Sequence, residues 1–150
     1  MAHSLTHILI HAVFSTKGRE PLIDRDLRVR LWAYLGGIIH ECGGNVIAVG
    51  GTADHVHSLF TLTAAMSVAD IMRLVKTNSS RWVHEAFPAH RSFAWQTGYG
   101  AFSVSPSNVE RVKRYIANQE MHHRKTTFQE EYVHFLNRHG VAYDERYLWE

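Results

Sequence analysis

The chain has 150 residues, 45% of them hydrophobic and 20% charged, with a formal net charge of +2 from 16 basic and 14 acidic side chains. This length suits one domain over residues 1–150 with a core that needs no cross-links, and the composition is that of ordinary globular proteins rather than disordered or membrane ones. So small a charge excludes adhesion of the whole surface to nucleic acid, leaving any such affinity to local patches.

In chain order, residues 7–14 predict a first strand, with Ile8, Ile10, Ala12 and Phe14 on one face and His7, Leu9, His11 and Val13 on the other. Both faces are apolar enough for a central strand. His11 is expected to pack, or to support a neighbouring site, rather than to ligate. A basic loop with Lys17 and Arg19 follows. Asp24 then caps a helix reaching Cys42, whose apolar stripe (Leu27, Leu31, Tyr34, Leu35, Ile38, Cys42) recurs at helical spacing and ends at Gly43-Gly44. Cys42, alone in the chain, cannot form an internal disulfide and is expected to be a buried structural thiol. Residues 45–49 predict a second strand, and the turn at Gly50-Gly51-Thr52 returns the chain into a third that begins at His55, antiparallel to the second.

Ser67 and Asp70 have capping-box spacing and open a second helix to about Glu85. Its apolar side carries Val68, Ile71, Leu74, Val75 and Trp82. Arg73, Lys76, Thr77, Ser80 and His84 share the other side, which is either a solvated surface or a face that tracks phosphates. The irregular stretch 88–96 interleaves aromatic and polar residues; Arg91 and Trp95 are candidate contacts to unpaired bases, although Phe93 and Trp95 would equally cover the sheet. Residues 99–105 predict a fourth strand. Ser107 with Glu110 predicts the cap of a third helix, on which Val109, Val112 and Ile116 face the core while Arg111, Tyr115, Gln119 and His122 line the adjoining face. A last helix over 127–139 buries Phe128, Tyr132, Phe135 and Leu136 and stops at Gly140. The tail holds Tyr143, Tyr147, Leu148 and Trp149, too apolar to lie free.

Strand, helix, strand, strand, helix, strand, then added helices is the order of an α+β, ferredoxin-like fold: a four-stranded antiparallel sheet with helices on one face and the other face open to the third helix. No apolar run is long enough for a bilayer, and no basic segment leads into an apolar signal core, so no membrane contact and a cytoplasmic location are expected.

The chemistry concentrates in His55-Val56-His57. Two histidines one residue apart on a strand point to the same face and are able to grip one ion together. Gln119 is the best candidate for a third ligand. Two imidazoles and a carboxamide oxygen are all neutral, so a divalent ion such as Mg2+ or Mn2+ would keep its charge for a substrate phosphate. Tyr115, one helical turn from Gln119, is then a credible nucleophile; an ordinary interface aromatic is the competing reading, as a surface position is for Gln119.

His55-Val56-His57 resembles the histidine-hydrophobic-histidine (HUH) motif, and Tyr115-Ile116-Ala117-Asn118-Gln119 the tyrosine helix, of the small single-tyrosine transposases of bacterial insertion sequences. Trp95 to Phe102, Asn118-Gln119-Glu120 running into His122-His123, and Phe128 to Tyr132 extend the likeness over nearly the whole chain. It also resembles the related transposases associated with repetitive extragenic palindromes. The resemblance implies a dimeric, metal-dependent enzyme that cuts and rejoins single-stranded DNA near hairpins at element ends. His55, His57 and Gln119 map onto the family's metal ligands. Tyr115 maps onto its nucleophile, which joins the 5′ phosphate and releases a 3′ hydroxyl. The tyrosine helix in this family is able to serve a partner subunit's histidines. For DNA contact the candidates are Arg73, Lys76, Arg91, Trp95 and Arg111. Alternatives are a domesticated hairpin-binding regulator, a metal phosphodiesterase that uses water, and a histidine-rich metal-binding protein.

Overall fold

The structure is a computed structural model and describes residues 4–150. Its first strand, β1 (Ile8–Ser15), enters helix α1 (Arg25–Glu41) through a short 3-10 turn, and Asp24 caps that helix by accepting from the Leu27 amide at 2.9 Å. Strands β2 (Asn45–Gly51) and β3 (His55–Leu62) form a hairpin. Helix α2 (Val68–Ala86) follows, with Ser67 Oγ accepting from the Asp70 amide. Strand β4 (Gly100–Val104) completes a sheet of order β2-β3-β1-β4 in which every pair is antiparallel. This is the ferredoxin-like arrangement.

Alternation along the strands divides the sheet into two unlike faces. Ile10 pairs with Phe60, and Phe14 with Val56; their side chains join Leu27, Leu31, Leu35, Ile71, Met72 and Val83 of α1 and α2 in the main core. The opposite face presents His11, Val13, His55, His57 and Phe102 to the later helices. Cys42 caps the end of α1 and is half-buried against the main core rather than enclosed by it.

The third helix departs from expectation in two ways. Ser107 does not cap it. A 3-10 turn, Pro106–Asn108, intervenes because proline at a first helical position suits a tight turn, and α3 (Val109–Ala117) starts from Asn108 without a side-chain cap. The helix then breaks at Asn118 (φ −102°, ψ 22°), so Tyr115 ends α3 and Gln119 begins a separate turn, α4 (Gln119–His122). Arg28 of α1 holds α4 in place through Glu120 at 2.5 Å. Helix α5 (Phe128–Arg138) has a complete capping box between Thr127 and Glu130, and Gly140 takes the left-handed conformation (φ +66°) that stops it. The tail is tied down as its composition predicts. The Glu150 carbonyl accepts from the Gly98 amide, and Trp149 packs edge-on against Phe128 and Tyr132. Among the described residues no helix is long and apolar enough to cross a membrane.

Candidate metal and nucleophile centre

Gly50 explains how the tyrosine helix reaches the histidines. It pairs with His57 across the β2–β3 ladder, and a Cβ there would sit 2.6 Å from the Ile116 carbonyl oxygen of α3. The missing side chain lets α3 lie directly on the strand beside His57. Tyr115 and Gln119 therefore arrive over the histidine pair, with the Tyr115 and His57 rings 5.7 Å apart.

Both histidines are fully buried, and each is held from behind. Asp54 Oδ1, itself accepting from Thr52, accepts a hydrogen bond from His55 Nδ1–H at 2.8 Å, which leaves the Nε2 lone pair facing the site. His55 Nε2 then meets Gln119 Oε1 at 2.9 Å. The amide of Gln119 is oriented by its own Nε2, which donates to the Tyr115 carbonyl at 3.3 Å. A nitrogen lone pair and a carbonyl oxygen at that separation are stable only with a proton or a cation between them.

Glu131, on the buried side of α5, was not anticipated and is the hub of the site. It is 3% exposed. Its carboxylate accepts from His57 Nε2 at 2.8 Å and from the Tyr115 hydroxyl in a short hydrogen bond. His122 Nε2 lies 3.2 Å and His123 Nε2 3.1 Å from its second oxygen, and His123 Nε2 has no well-formed hydrogen bond of its own. With His57 Nε2 donating to Glu131, His57 Nδ1 accepts from His11 Nε2 at 2.8 Å. His11 thus fills the supporting role expected of it.

Burial sets the titration of these groups and the Glu131 charge modifies it. Burial pushes His57 down to about 4 and His11 well below the ordinary histidine range. Burial alone would raise Glu131, but the His123 and His57 imidazoles beside it outweigh burial and hold the carboxyl well below its usual value. For His123 burial opposes charge, yet the carboxylate prevails and its pKa is raised. Tyr115 is pushed far above the ordinary phenol by burial and then by Glu131. The resting phenol is protonated and locked.

One ligand atom each from His55, His57, His123 and Glu131 lies within 4.8 Å of all the others. With Gln119 Oε1 facing His55 and the His123 nitrogen unpartnered, this donor set fits a divalent cation. The signal for Glu131 was present in the sequence: it follows Phe128 by three and precedes Phe135 by four, so it lies on the apolar stripe of its helix.

The five candidate DNA contacts do not gather at this centre. Arg73 and Lys76 are on α2, across the sheet from Tyr115, and line a surface groove with Thr77, Ser80 and Tyr99. Lys76 is half-buried and lowered to about 8 by burial; its ammonium donates to the Thr97 and Gly98 carbonyls at 2.9 and 2.7 Å, so it clamps that loop instead of waiting for phosphate. Trp95 does not fit the expected stacking role. Its ring is 8% exposed, edge-on to Phe14 and Phe93, with Nε1 donating to Ser79, which leaves no face for a base. Arg91 is exposed on the connection after α2. Arg111 alone of the five stands on the Tyr115 side, lining a cavity beside it.

Residues 4–119 match the family model described as "Transposase IS200 like". The chain is 25% identical over 114 residues to the ISDra2 transposase TnpA of Deinococcus radiodurans, covering 73% of this chain and 81% of that protein. It is 26% identical over 125 residues to the transposase for insertion sequence element IS200 of Salmonella typhimurium, covering 79% and 81%. Among solved structures it is similar in fold to a Deinococcus radiodurans R1 protein assigned as a transposase (TM-score 0.63, 23% identity, 79% of this chain and 95% of that one). It is also similar to a REP-associated tyrosine transposase bound to a REP hairpin (TM-score 0.58, 12% identity, 82% and 74%).

Proposed function

We propose that this chain, which belongs to the IS200-like transposases, cuts and rejoins single-stranded DNA at element ends through a covalent bond between Tyr115 and a 5′ phosphate. The observation that carries this reading is the gathering of His55 and His57 with His123 and Glu131, Gln119 Oε1 meeting His55 and the Tyr115 hydroxyl meeting Glu131, from elements far apart in sequence. A divalent cation held by His55, His57 and Gln119 would polarise a phosphoryl oxygen and orient the phosphodiester. Mg2+ and Mn2+ both suit that role, and the imidazole-rich surroundings, with His123 and Glu131 adjoining, favour Mn2+.

In the reaction the Tyr115 oxygen attacks phosphorus and the bond to the 3′ oxygen breaks. The phenol proton passes to Glu131, the acceptor already bonded to it, and the departing oxygen takes a proton from water to leave as a 3′ hydroxyl. The phosphotyrosine conserves the bond, so a later 3′ hydroxyl displaces Tyr115 and rejoins DNA without a nucleoside triphosphate. Glu131 both locks the resting phenol and accepts its proton, so Tyr115 becomes nucleophilic only when a phosphate enters beside that hydrogen bond. Hairpins at the element ends are the proposed recognition feature, by analogy with the relative bound to a REP hairpin. The working form is a cytoplasmic homodimer. The position of Tyr115 beside the histidines of its own chain supports a site completed within one subunit.

Labelled single strands from both flanks of the gene, incubated with the protein and Mn2+ or Mg2+, test this. A denaturation-resistant protein–DNA band is expected with one strand only, and is expected to vanish with chelator and with Tyr115→Phe. Cleavage that survives Tyr115→Phe would replace this reading with a phosphodiesterase that uses water. Tight hairpin binding without any adduct would replace it with a DNA-binding regulator.

A further inference from the structure

Between α3, α5 and the edge of β4 lies a cavity of about 490 Å³ into which Tyr115 opens. That volume falls within the range of pockets that enclose a small ligand. One wall is aromatic: Phe135 of α5, His139 at the end of that helix and Phe102 of β4 have nearly parallel rings, Phe102 to Phe135 at 5.4 Å and 21°, Phe102 to His139 at 4.5 Å and 31°. Phe102 is buried beneath, while Phe135 is half-exposed and His139 exposed, so the open ring faces belong to α5 and its end. His139 is not a loose side chain, because its Nδ1 donates to the Phe135 carbonyl at 2.9 Å and fixes the ring.

The charge of the cavity is positive where it is free to act. Arg111 and Arg138 line it, and neither makes an ion pair among the described residues. Two carboxylates also line it, but both are engaged. Glu130 closes the capping box with Thr127, and Glu131 is surrounded by His57, His122, His123 and Tyr115. An aromatic wall, two unpaired guanidinium groups and a nucleophile opening into the same space describe a receptor for a flat ring joined to a phosphate.

We propose that this cavity is a subsite for one unpaired nucleotide, the one adjacent to the phosphate that Tyr115 attacks, with its base against Phe135 and His139 and its phosphates toward Arg111 and Arg138. A base inside a duplex has both faces covered by its neighbours and cannot use that wall, so the subsite selects single-stranded DNA at the cleavage position. The proposal rests on the Tyr115 reading for which nucleotide is held, but not for whether one is held.

The test is a scan in which 2-aminopurine replaces each base in turn around the cleavage position of the flank oligonucleotide, read by fluorescence on binding to the intact protein. One position next to the phosphate joined to Tyr115 is expected to be strongly quenched. Phe135→Leu, which keeps the bulk but removes the ring, and the surface change His139→Ala should each relieve that quenching. Either should weaken binding of the oligonucleotide by roughly tenfold. Arg138→Ala should weaken it most at low salt and reduce its salt slope by about one unit. If no position is quenched, or if both ring variants leave quenching and affinity unchanged, the subsite is wrong even where the Tyr115 adduct forms normally. If quenching and its relief are seen but no adduct forms under any condition, the subsite stands and the proposed chemistry falls.

Discussion

The two faces of this sheet are made of alternate residues on the same strands, and they obey opposite rules. Toward α1 and α2 stand Ile10, Ala12, Phe14, Val56 and Phe60, apolar and closed, where stability comes from the area removed from water. Toward α3, α4 and α5 stand His11, His55 and His57, equally buried but polar, each dependent on a partner brought from another element. The first face depends little on polar contacts, the Trp95–Ser79 hydrogen bond at its edge being an exception. The second is a chain of hydrogen bonds in which Glu131 touches nearly every member, so one change propagates.

The largest difference should appear on truncation. Phe60→Ala, in the centre of the apolar face, is expected to cost about 3–5 kcal/mol of stability, read as a lowered denaturant midpoint. A cost under about 1 kcal/mol would deny that this face carries the fold.

Acid should act almost wholly on the polar face. In metal-free protein His57 and His11 are neutral when folded, whereas the unfolded chain takes up protons near the ordinary histidine pKa of about 6.5. Between that value and about 4 the unfolded state binds more protons, so stability falls as pH is lowered, by up to about 1.4 kcal/mol per pH unit for each such group. Glu131, held low, adds its own loss only as pH drops below the ordinary carboxylate range. His123, held high, works in the other direction: its contribution is complete below about 6.5 and is lost as pH rises through its folded value. Thermal midpoints in chelator should therefore decline from pH 6.5 to 4, and a flat profile would contradict the assignment of neutral buried histidines.

The packing of α3 on β2 joins the two faces. Gly50→Ala should displace α3 from the strand and cost about 1–3 kcal/mol, while lowering adduct formation more than the stability loss explains, because Tyr115 and Gln119 move with the helix. Glu131→Gln should bring the Tyr115 phenol down toward the ordinary value near 10, since it removes the charge that opposes ionisation; a tyrosine-selective NMR titration reads this directly. The smallest effect is expected on the outer surface of the apolar side. Arg73→Ala should reduce the salt slope of hairpin binding by about one unit without altering cleavage at Tyr115.

Most of the apolar face was legible in the sequence because periodicity writes it out. The stripes of α1 and α2, the alternation of β1 and the glycines after α1 suffice to give the sheet and its order. His55, His57, Tyr115 and Gln119 were legible as a motif, and their convergence follows from the strand register and from Gly50. Glu131 escaped because an acidic residue beside a capping box reads as part of a solvated first turn, although its spacing from Phe128 and Phe135 sets it on the buried stripe. The break at Asn118 escaped because the polar spacing of Tyr115, Gln119 and His122 continues helically across it. The sequence leaves Trp95 open between stacking on a base and covering the sheet, because its buried partner, Ser79, lies on another element and no local pattern joins them.

Diffraction from crystals grown with Mn2+, with data collected at the manganese absorption edge, tests the central claim most directly, since manganese is identified by its anomalous signal irrespective of any model of the site. The account predicts a single peak among His55 Nε2, His57 Nε2 and Gln119 Oε1, next to Tyr115. No peak there, or a peak held only by surface carboxylates, would contradict it.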